Sequence, residues 1–356
     1  DAGEGRAWPG DARLWRVPGS DAADPAAELL DLKFDEARVD PAKLAGRAPG
    51  LWRYREALPL DPSREPVTLG ETMTPLIAMD WGGRRPSVKV DSLFPSGSYK
   101  DRGAAVLITH ARNIGVERVL VDSSGNAGAA VAMYAAAAGI AAEVYVPASA
   151  SAGKIAQAVA AGAEIHRVPG DRAATAAAAM QRAEDVYYAS HCWNPVFFHG
   201  TKTFLFELME QRGWRAPEAI VLPAGNGTLL LGCAIGLRDL ARSGLLERMP
   251  RLIGVQAANC APLVAAFERG ADAAVAVEVT PTIAEGVAIA APVRGGQMLR
   301  AVRDSGGRMV SVGEPRVVDV WRRLLRKGVC LEPTSSLVFA AFEEAEDLGD
   351  DTVIAL

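Results

Sequence analysis

The sequence predicts an α/β protein with largely parallel sheets, divided into more than one domain. From residue 102 onward, apolar segments of strand length alternate with helical segments, which is typical of right-handed βαβ units. The chain has 356 residues, more than one hydrophobic core usually holds, and this length favours two domains. Hydrophobic residues make up 49% and charged residues 23%, as in a soluble globular protein.

Apolar runs and the glycines that follow the helical segments predict the individual elements. Glycines 115, 139 and 162 each end a helical segment. The predicted helices are 102–113, 128–138, 153–161, 173–183, 203–212, 229–243 and 336–348. The predicted strands are 88–90, 116–121, 142–146, 164–168, 219–222, 251–256 and 352–356. Residues 1 to about 50 are acidic and rich in proline and glycine, and predict an extended arm packed on the main body.

Charge and composition exclude several classes of function. The net charge of −5 gives no electrostatic case for binding nucleic acid or an anionic membrane. Because no stretch of about 20 apolar residues is present, we expect no membrane span. The widely spaced cysteines form no CxxC pair and predict reduced thiols in a cytoplasmic protein. The histidines lack the i, i+4 spacing of a helical metal site, so we expect no catalytic metal.

Lys100 lies in residues 95–103, between a small-residue turn and the start of a predicted helix. This position suggests a Schiff-base lysine, whose amine attacks a carbonyl such as that of pyridoxal phosphate. The alternative is a solvated surface charge, which is the commoner state of a single lysine.

Two further loops lie between a predicted strand and a predicted helix. In residues 122–128, small residues allow close approach of a ligand, and the helix N-terminus suits a substrate carboxylate, while Asn126 can donate to a cofactor oxygen. In residues 223–228, Gly225 and Gly227 expose backbone N–H groups, Thr228 adds a hydroxyl, and the helix dipole favours a phosphate. Either loop could instead be a simple capped turn. Together with Lys100, they predict a pyridoxal phosphate enzyme of amino acids.

At these residues the chain resembles the fold-type II pyridoxal phosphate enzymes, and within them the threonine synthase branch. The segments that carry the resemblance are 51–55, 69–71, 74–76, 98–103, 123–128, 194–195, 200–203, 225–227, 282–286 and 332–335. The lysine and asparagine loops are highly specific for the superfamily, and the other segments are moderately specific for the branch.

The resemblance implies two α/β domains with largely parallel sheets and the cofactor in the cleft between them. It implies an extended N-terminal arm over 1–50, a larger cofactor-binding domain over 51–85 and 191–356, and a smaller mobile domain over 86–190. It further implies a homodimer that takes a small amino-acid substrate.

The resemblance also implies roles for the cofactor-binding residues. Lys100 would form the Schiff base with pyridoxal 5'-phosphate and later move protons at Cα and Cβ. Asn126 would hydrogen-bond the phenolic oxygen of the cofactor. The cofactor phosphate would be held by four residues of one loop: Gly225, Asn226, Gly227 and Thr228.

Three residues are implied to bind the substrate. Ser123 and Ser124 would help to bind its carboxylate, and Glu285 would face the cofactor ring or the substrate, unless it is an ordinary exposed carboxylate. Family members place a hydroxyl against the pyridine nitrogen, usually after the final strand, which here means beyond Leu356. Thr334 and Ser335 are the alternatives within the printed sequence.

The identity of the substrate is left open by one departure from the family pattern. Residues 196–198 are Val-Phe-Phe where many threonine synthases carry an arginine suited to a substrate phosphate. The leading hypothesis is a threonine synthase-like lyase that acts on an O-activated amino acid such as O-phosphohomoserine. The second is β-elimination or β-replacement on serine, threonine or an O-activated serine. A non-catalytic homologue that binds the cofactor is the third.

Overall fold

The computed structural model describes Pro9, residues 13–16 and residues 29–356. The chain divides into two compact units. We call Asp1–Met73 with Leu93–Thr203 the N-terminal unit, and Thr74–Ser92 with Phe204–Leu356 the C-terminal unit. No helix in the described part of the chain has the length and apolarity needed to cross a membrane.

The N-terminal unit is built on a four-stranded sheet with the order β5-β4-β3-β6, in which every pairing is parallel. Its strands are β3 (Arg118–Val121), β4 (Ala141–Pro147), β5 (Glu164–Val168) and β6 (Tyr187–Tyr188). Its helices are α1 (Pro41–Leu44), α2 (Lys100–Asn113), α3 (Asn126–Ala137), α4 (Ala152–Ala160), α5 (Arg172–Arg182) and α6 (Pro195–Thr201), with a 3-10 helix at Leu51–Ala57.

Helices α2 and α6 cross at two glycines, because only a residue without a side chain fits there. A Cβ at Gly103 would lie 2.2 Å from the Phe197 ring, and a Cβ at Gly200 would lie 2.2 Å from the Arg102 carbonyl oxygen. The close crossing fixes the first turn of α2, which begins with Lys100.

The C-terminal unit is built on a six-stranded sheet with the order β1-β2-β10-β7-β8-β9. Only the β1–β2 pair is antiparallel, and the remaining pairs are parallel. The strands are β1 (Leu76–Ala78), β2 (Ser87–Lys89), β7 (Ala219–Pro223), β8 (Arg251–Ala257), β9 (Arg308–Val312) and β10 (Thr352–Ala355). The helices are α7 (Thr203–Gln211), α8 (Thr228–Arg242), α9 (Pro262–Glu268), α10 (Gly295–Asp304), α11 (Glu314–Arg326) and α12 (Pro333–Glu344). Short 3-10 helices span Asp91–Leu93, Ala258–Cys260 and Glu285–Val287.

The predicted fold class is confirmed, and each predicted helix and strand is present within a few residues of its expected ends. The structure adds elements for which the sequence analysis made no prediction. These are α1, β1, β6, α6, α9, α10, β9 and α11, together with the 3-10 helices.

The two observed units differ from the expected domains in where they place residues 51–73 and 191–203. Buried packing explains the difference for the first segment. Leu51 and Val67 belong to the same hydrophobic cluster as α2 and α3, and Glu71 accepts a 2.5 Å hydrogen bond from the Tyr134 hydroxyl of α3. Residues 191–203 follow because α6 crosses α2 at the two glycines.

Residues 74–92 join the C-terminal unit through a buried ion pair. The Lys89 ammonium and a Glu207 carboxylate oxygen lie 2.5 Å apart, and both side chains are fully buried. Glu207 also accepts a 2.7 Å hydrogen bond from the Thr74 backbone N–H. These contacts hold the segment against α7.

Part of the predicted N-terminal arm is described, and it packs on the N-terminal unit. The Trp15 indole N–H donates to the Ala183 carbonyl oxygen at 3.2 Å, and the Trp15 ring lies edge-on to the Tyr188 and Trp193 rings at 5.0 and 5.7 Å. The first eight residues lie outside the described residues.

Candidate active site

Lys100 is the first residue of α2, and a tight turn positions it. Gly97 has a φ of +84°, which favours glycine. Buried Asp101 accepts a 2.7 Å hydrogen bond from the Ser96 backbone N–H and a second bond from the Ser96 hydroxyl. Ser98 Oγ accepts from the Lys100 backbone N–H at 3.2 Å. The turn is therefore fixed at both ends.

The neighbouring Tyr99 contacts the half-buried Lys100 amine directly. The Tyr99 hydroxyl and Lys100 Nζ form a hydrogen bond, and Nζ lies 3.7 Å from the centre of the Tyr99 ring. A phenol hydroxyl accepts a hydrogen bond from an ammonium group and donates one to a neutral amine. Tyr99 can therefore keep its contact in both protonation states. The sequence analysis did not single out Tyr99.

Ser123, Ser124 and Asn126 lie where β3 passes into α3. The chain turns so tightly that a Cβ at Gly128 would lie 1.9 Å from the Ser123 carbonyl oxygen. Asn126 is the first residue of α3, and no side chain caps this helix N-terminus. Its first N–H groups are therefore available to a ligand, as the sequence predicted for this loop.

Asp122 forms the base of this loop and was not identified from the sequence. It is buried, and it accepts a 2.7 Å hydrogen bond from the Tyr188 hydroxyl. Its second carboxylate oxygen lies 2.9 Å from Arg172 Nη2. Burial raises the pKa of Asp122, although Arg172 and Tyr188 oppose the shift.

His191 is a second group that the sequence analysis did not place in the site. It is 6% exposed, and its ring lies 6.1 Å from the Phe197 ring in an edge arrangement. Burial lowers the pKa of His191 well below its usual value, and the positive charges of Lys100 and Arg172 lower it further. His191 is therefore neutral near pH 7, and both cations act on the same ring.

Gly225, Asn226 and Gly227 connect β7 to α8 in the C-terminal unit. Gly227 has a φ of +71° and no side chain caps α8, so the first N–H groups of this helix remain available to an anion. A Cβ at Gly225 would lie 2.7 Å from the Gly286 carbonyl oxygen and 3.0 Å from Val287 Cα. The two backbones therefore approach each other without room for a side chain.

Buried Gln256 fixes the start of this loop. Its side-chain amide N–H donates to the Ala224 carbonyl oxygen at 3.0 Å. Its side-chain oxygen accepts from the backbone N–H groups of Leu263 and Val264, at 2.9 and 3.1 Å. Gln256 was not predicted, because nothing near it in sequence marks this role.

Glu285 is exposed and begins the 3-10 helix that approaches Gly225. The Gly286 backbone N–H donates to Thr334 Oγ1 at 3.1 Å. Thr334 therefore lies beside the Ala-Glu-Gly segment within the C-terminal unit.

Among the described residues, Glu143, Glu164 and His166 form a group that has the atoms to hold a metal ion, with ligand atoms within 4.8 Å of one another. Arg182 already donates to both oxygens of Glu143, at 2.9 and 3.1 Å. Hydrogen bonding to Arg182 lowers the pKa of Glu143. We interpret the group as an ion-pair network on the sheet.

The predicted residues fall into two groups, one in each unit. Lys100, Ser123, Ser124 and Asn126 belong to the N-terminal unit, and the Gly225–Thr228 loop and Glu285 belong to the C-terminal unit. Each group joins backbone N–H groups at a helix start to polar side chains, which suits an anionic ligand.

Comparison with known proteins identifies the family. Residues 67–356 match the family model described as pyridoxal-phosphate dependent enzyme. The chain belongs to the pyridoxal-phosphate dependent enzymes. Among curated relatives, the threonine synthase of Methanosarcina acetivorans is 34% identical over 343 residues, covering 92% of this chain and 84% of the relative. The threonine synthase of Mycobacterium leprae is 35% identical over 304 residues, covering 83% of this chain and 82% of the relative.

Solved structures of the same fold agree with the family. A bacterial threonine deaminase, from T.th., superposes with a TM-score of 0.66 at 26% identity, covering 80% of this chain and 91% of that chain. Maize serine racemase superposes with a TM-score of 0.68 at 21% identity, covering 80% and 86%. This pyridoxal-phosphate dependent enzyme is thus a fold-type II lyase of the threonine synthase type.

The residues of both groups fit pyridoxal phosphate. Lys100 supplies an amine for the carbonyl carbon of the cofactor. The uncapped start of α8 supplies N–H groups for a phosphate, and the contact that a Cβ at Gly225 would make keeps that backbone close and open.

Replacing Tyr99 with phenylalanine tests its contact with the lysine. The substitution keeps the ring and removes the hydroxyl that bonds Lys100 Nζ. We expect covalent capture of pyridoxal phosphate by the apoenzyme to slow about fivefold, the effect of losing one hydrogen bond. Stopped-flow absorbance measures the rate. Tyr145→Phe, in the sheet of the same unit, is the control, and equal rates in both variants would contradict the role.

Proposed function

We propose that this enzyme eliminates an activated side-chain oxygen group from an amino acid such as O-phosphohomoserine and adds water. The observation that carries the proposal is the Lys100 amine at the start of α2, held by Tyr99 and by the turn of residues 95–99. The threonine synthases at 34 and 35% identity support the same reaction class.

The chain's own residues divide the work of this proposed reaction. When bound, pyridoxal phosphate supplies an electron sink for the bond that breaks at Cα. Lys100 holds the cofactor and moves the protons at Cα and Cβ. Ser123 and Ser124 bind the substrate carboxylate, because they lie beside the uncapped start of α3.

The remaining proposed roles belong to cofactor recognition. Asn126 donates to the phenolic oxygen, and the loop Gly225, Asn226, Gly227 and Thr228 binds the cofactor phosphate. Glu285 faces the cofactor ring or the substrate, and its exposure leaves its carboxylate accessible.

A second candidate is β-elimination on serine or threonine. It is favoured by the environment of Phe197, which is fully buried and packs against Gly103. Residues 196–198 therefore present apolar side chains where a phosphate-binding arginine was expected, and a substrate without a phosphate would suit such a surface.

A substrate panel distinguishes the two candidates. The holoenzyme is incubated with O-phosphohomoserine, O-phosphoserine, serine and threonine, and released phosphate, threonine and keto acid are measured. Phosphate and threonine from O-phosphohomoserine support the first candidate. Keto acid from serine or threonine, with no turnover of O-phosphohomoserine, supports the second. No product from any member of the panel contradicts both.

The proposal extends to a homodimer in the cytoplasm, as the resemblance implies. The four cysteines are free thiols, and three of them are buried, which agrees with a reducing compartment. Light scattering of the holoenzyme tests the dimer, and a monomeric mass would contradict it.

A further inference from the structure

Residues 196–198 leave the N-terminal unit without an arginine at the position where threonine synthases often bind a substrate phosphate. Two nearby cations are enclosed by other partners. The fully buried Arg102 guanidinium lies 4.6 Å from the centre of the Phe94 ring. The fully buried Lys202 ammonium lies 3.1 Å from His199 Nδ1. Neither side chain has a surface on which a substrate could bind.

Arg172 differs from both, because its side chain is 47% exposed while it contacts the substrate loop. It begins α5, and its Nη1 donates to the carbonyl oxygen of Asp122. Its Nη2 lies 2.9 Å from an Asp122 carboxylate oxygen. Asp122 directly precedes Ser123 and Ser124, so the guanidinium lies at the base of that loop.

Two further observations place Arg172 on the reactive side of the unit. Its charge and that of Lys100 act on the same buried ring, His191. Asp122 is held from its other side by the Tyr188 hydroxyl at 2.7 Å, which fixes the carboxylate to which Arg172 is bound. A guanidinium has more donors than the contacts with Asp122 use, and its exposed edge suits a planar or tetrahedral anion.

We propose that Arg172 is a specificity-determining residue that binds an anionic oxygen group on the substrate side chain, phosphate foremost. The inference rests on the proposed function and deepens it, since it assigns the enzyme a substrate with a charged leaving group. Arg172 takes the part that residues 196–198 do not supply. Asp122 orients the guanidinium, and Ser123 and Ser124 lie at the adjacent end of the same loop.

Arg182 provides a matched control within the same helix. It ends α5, is 38% exposed, and pairs with buried Glu143 at 2.9 Å. It therefore resembles Arg172 in exposure and in having a buried carboxylate partner, but it lies at the opposite end of the helix from the substrate loop.

Binding of inorganic phosphate to the holoenzyme tests the proposal without turnover. The cofactor fills its own phosphate site, so calorimetry reports the additional anion. We expect Arg172→Gln to raise the Kd for phosphate about tenfold or more, as for loss of a charge-assisted hydrogen bond. Arg172→Lys keeps the charge but loses the planar donors, so its Kd should lie between those of the wild type and Arg172→Gln. Arg182→Gln should bind phosphate as the wild type does.

Kinetics supply a second readout. Arg172→Gln should raise KM for O-phosphohomoserine or O-phosphoserine without raising KM for serine or threonine. The proposal is overturned if the wild-type holoenzyme binds no added phosphate, or if Arg172→Gln binds it as tightly as the wild type. An equal loss in Arg182→Gln would also overturn it. An inactive substrate panel beside Arg172-dependent phosphate binding would refute the proposed function and leave the anion site standing.

Discussion

Lys100→Ala is expected to abolish both turnover and the yellow absorbance of lysine-linked pyridoxal phosphate. The amine is the group that attacks the cofactor carbonyl and then moves protons, so its loss removes two roles at once. We expect turnover to fall by about a thousandfold or more, since positioned proton transfer contributes on that scale. Absorbance of the purified protein and product release from the substrate panel measure the two effects.

Lys154→Ala is the control for this substitution. Lys154 is an exposed lysine in α4 of the same unit. The control should keep both colour and turnover. A coloured Lys100→Ala protein with wild-type turnover would show that another group holds the cofactor.

Gly225→Ala is expected to weaken cofactor binding strongly. The added Cβ would lie 2.7 Å from the Gly286 carbonyl oxygen and 3.0 Å from Val287 Cα, and both are backbone atoms that cannot rotate away. Overpacking of this kind typically costs about 1–3 kcal/mol, which corresponds to a loss in affinity of roughly fivefold to a hundredfold. The Kd of pyridoxal phosphate for the apoenzyme, from fluorescence titration, measures the effect.

Gly349→Ala separates the loop effect from a general effect of removing a glycine. Gly349 lies in the same unit, and a Cβ there would meet nothing within 4 Å. We expect the control to bind the cofactor as the wild type does. Equal affinity of all three proteins would refute the assignment of Gly225 to the phosphate loop.

Most of the fold between residues 100 and 257 could be predicted from local signals. Helices in this region end at glycines with positive φ, such as Gly115, Gly139 and Gly162. The strands are short apolar runs, and β5 was predicted with its observed ends. These signals are local because a parallel sheet buries its strands on both faces, so they read as continuous apolar runs.

Residues 257–335 show where the prediction stopped. Helix α11 has buried Val317, Val320 and Leu324 at helical spacing, so a signal was present in the sequence and was not used. The small buried strand β6 has two residues and no usable periodicity. The domain limits depended on contacts such as Lys89 with Glu207, which join distant segments.

The candidate site divides in the same way. The loops around Lys100, Asn126 and Gly225 carry local signatures, because each needs small residues at a helix start. Tyr99 was adjacent to Lys100, but its hydroxyl contact depends on side-chain geometry. Asp122, Arg172 and His191 come together from β3, α5 and the segment after β6, and no local pattern reports such proximity.

Reductive trapping tests the central claim most directly. The wild-type protein is loaded with pyridoxal phosphate, reduced with borohydride and digested, and the modified peptide is identified by mass spectrometry. The account predicts one cofactor adduct per chain, on the peptide that contains Lys100. An adduct on another lysine, or an unmodified protein after loading, would contradict it.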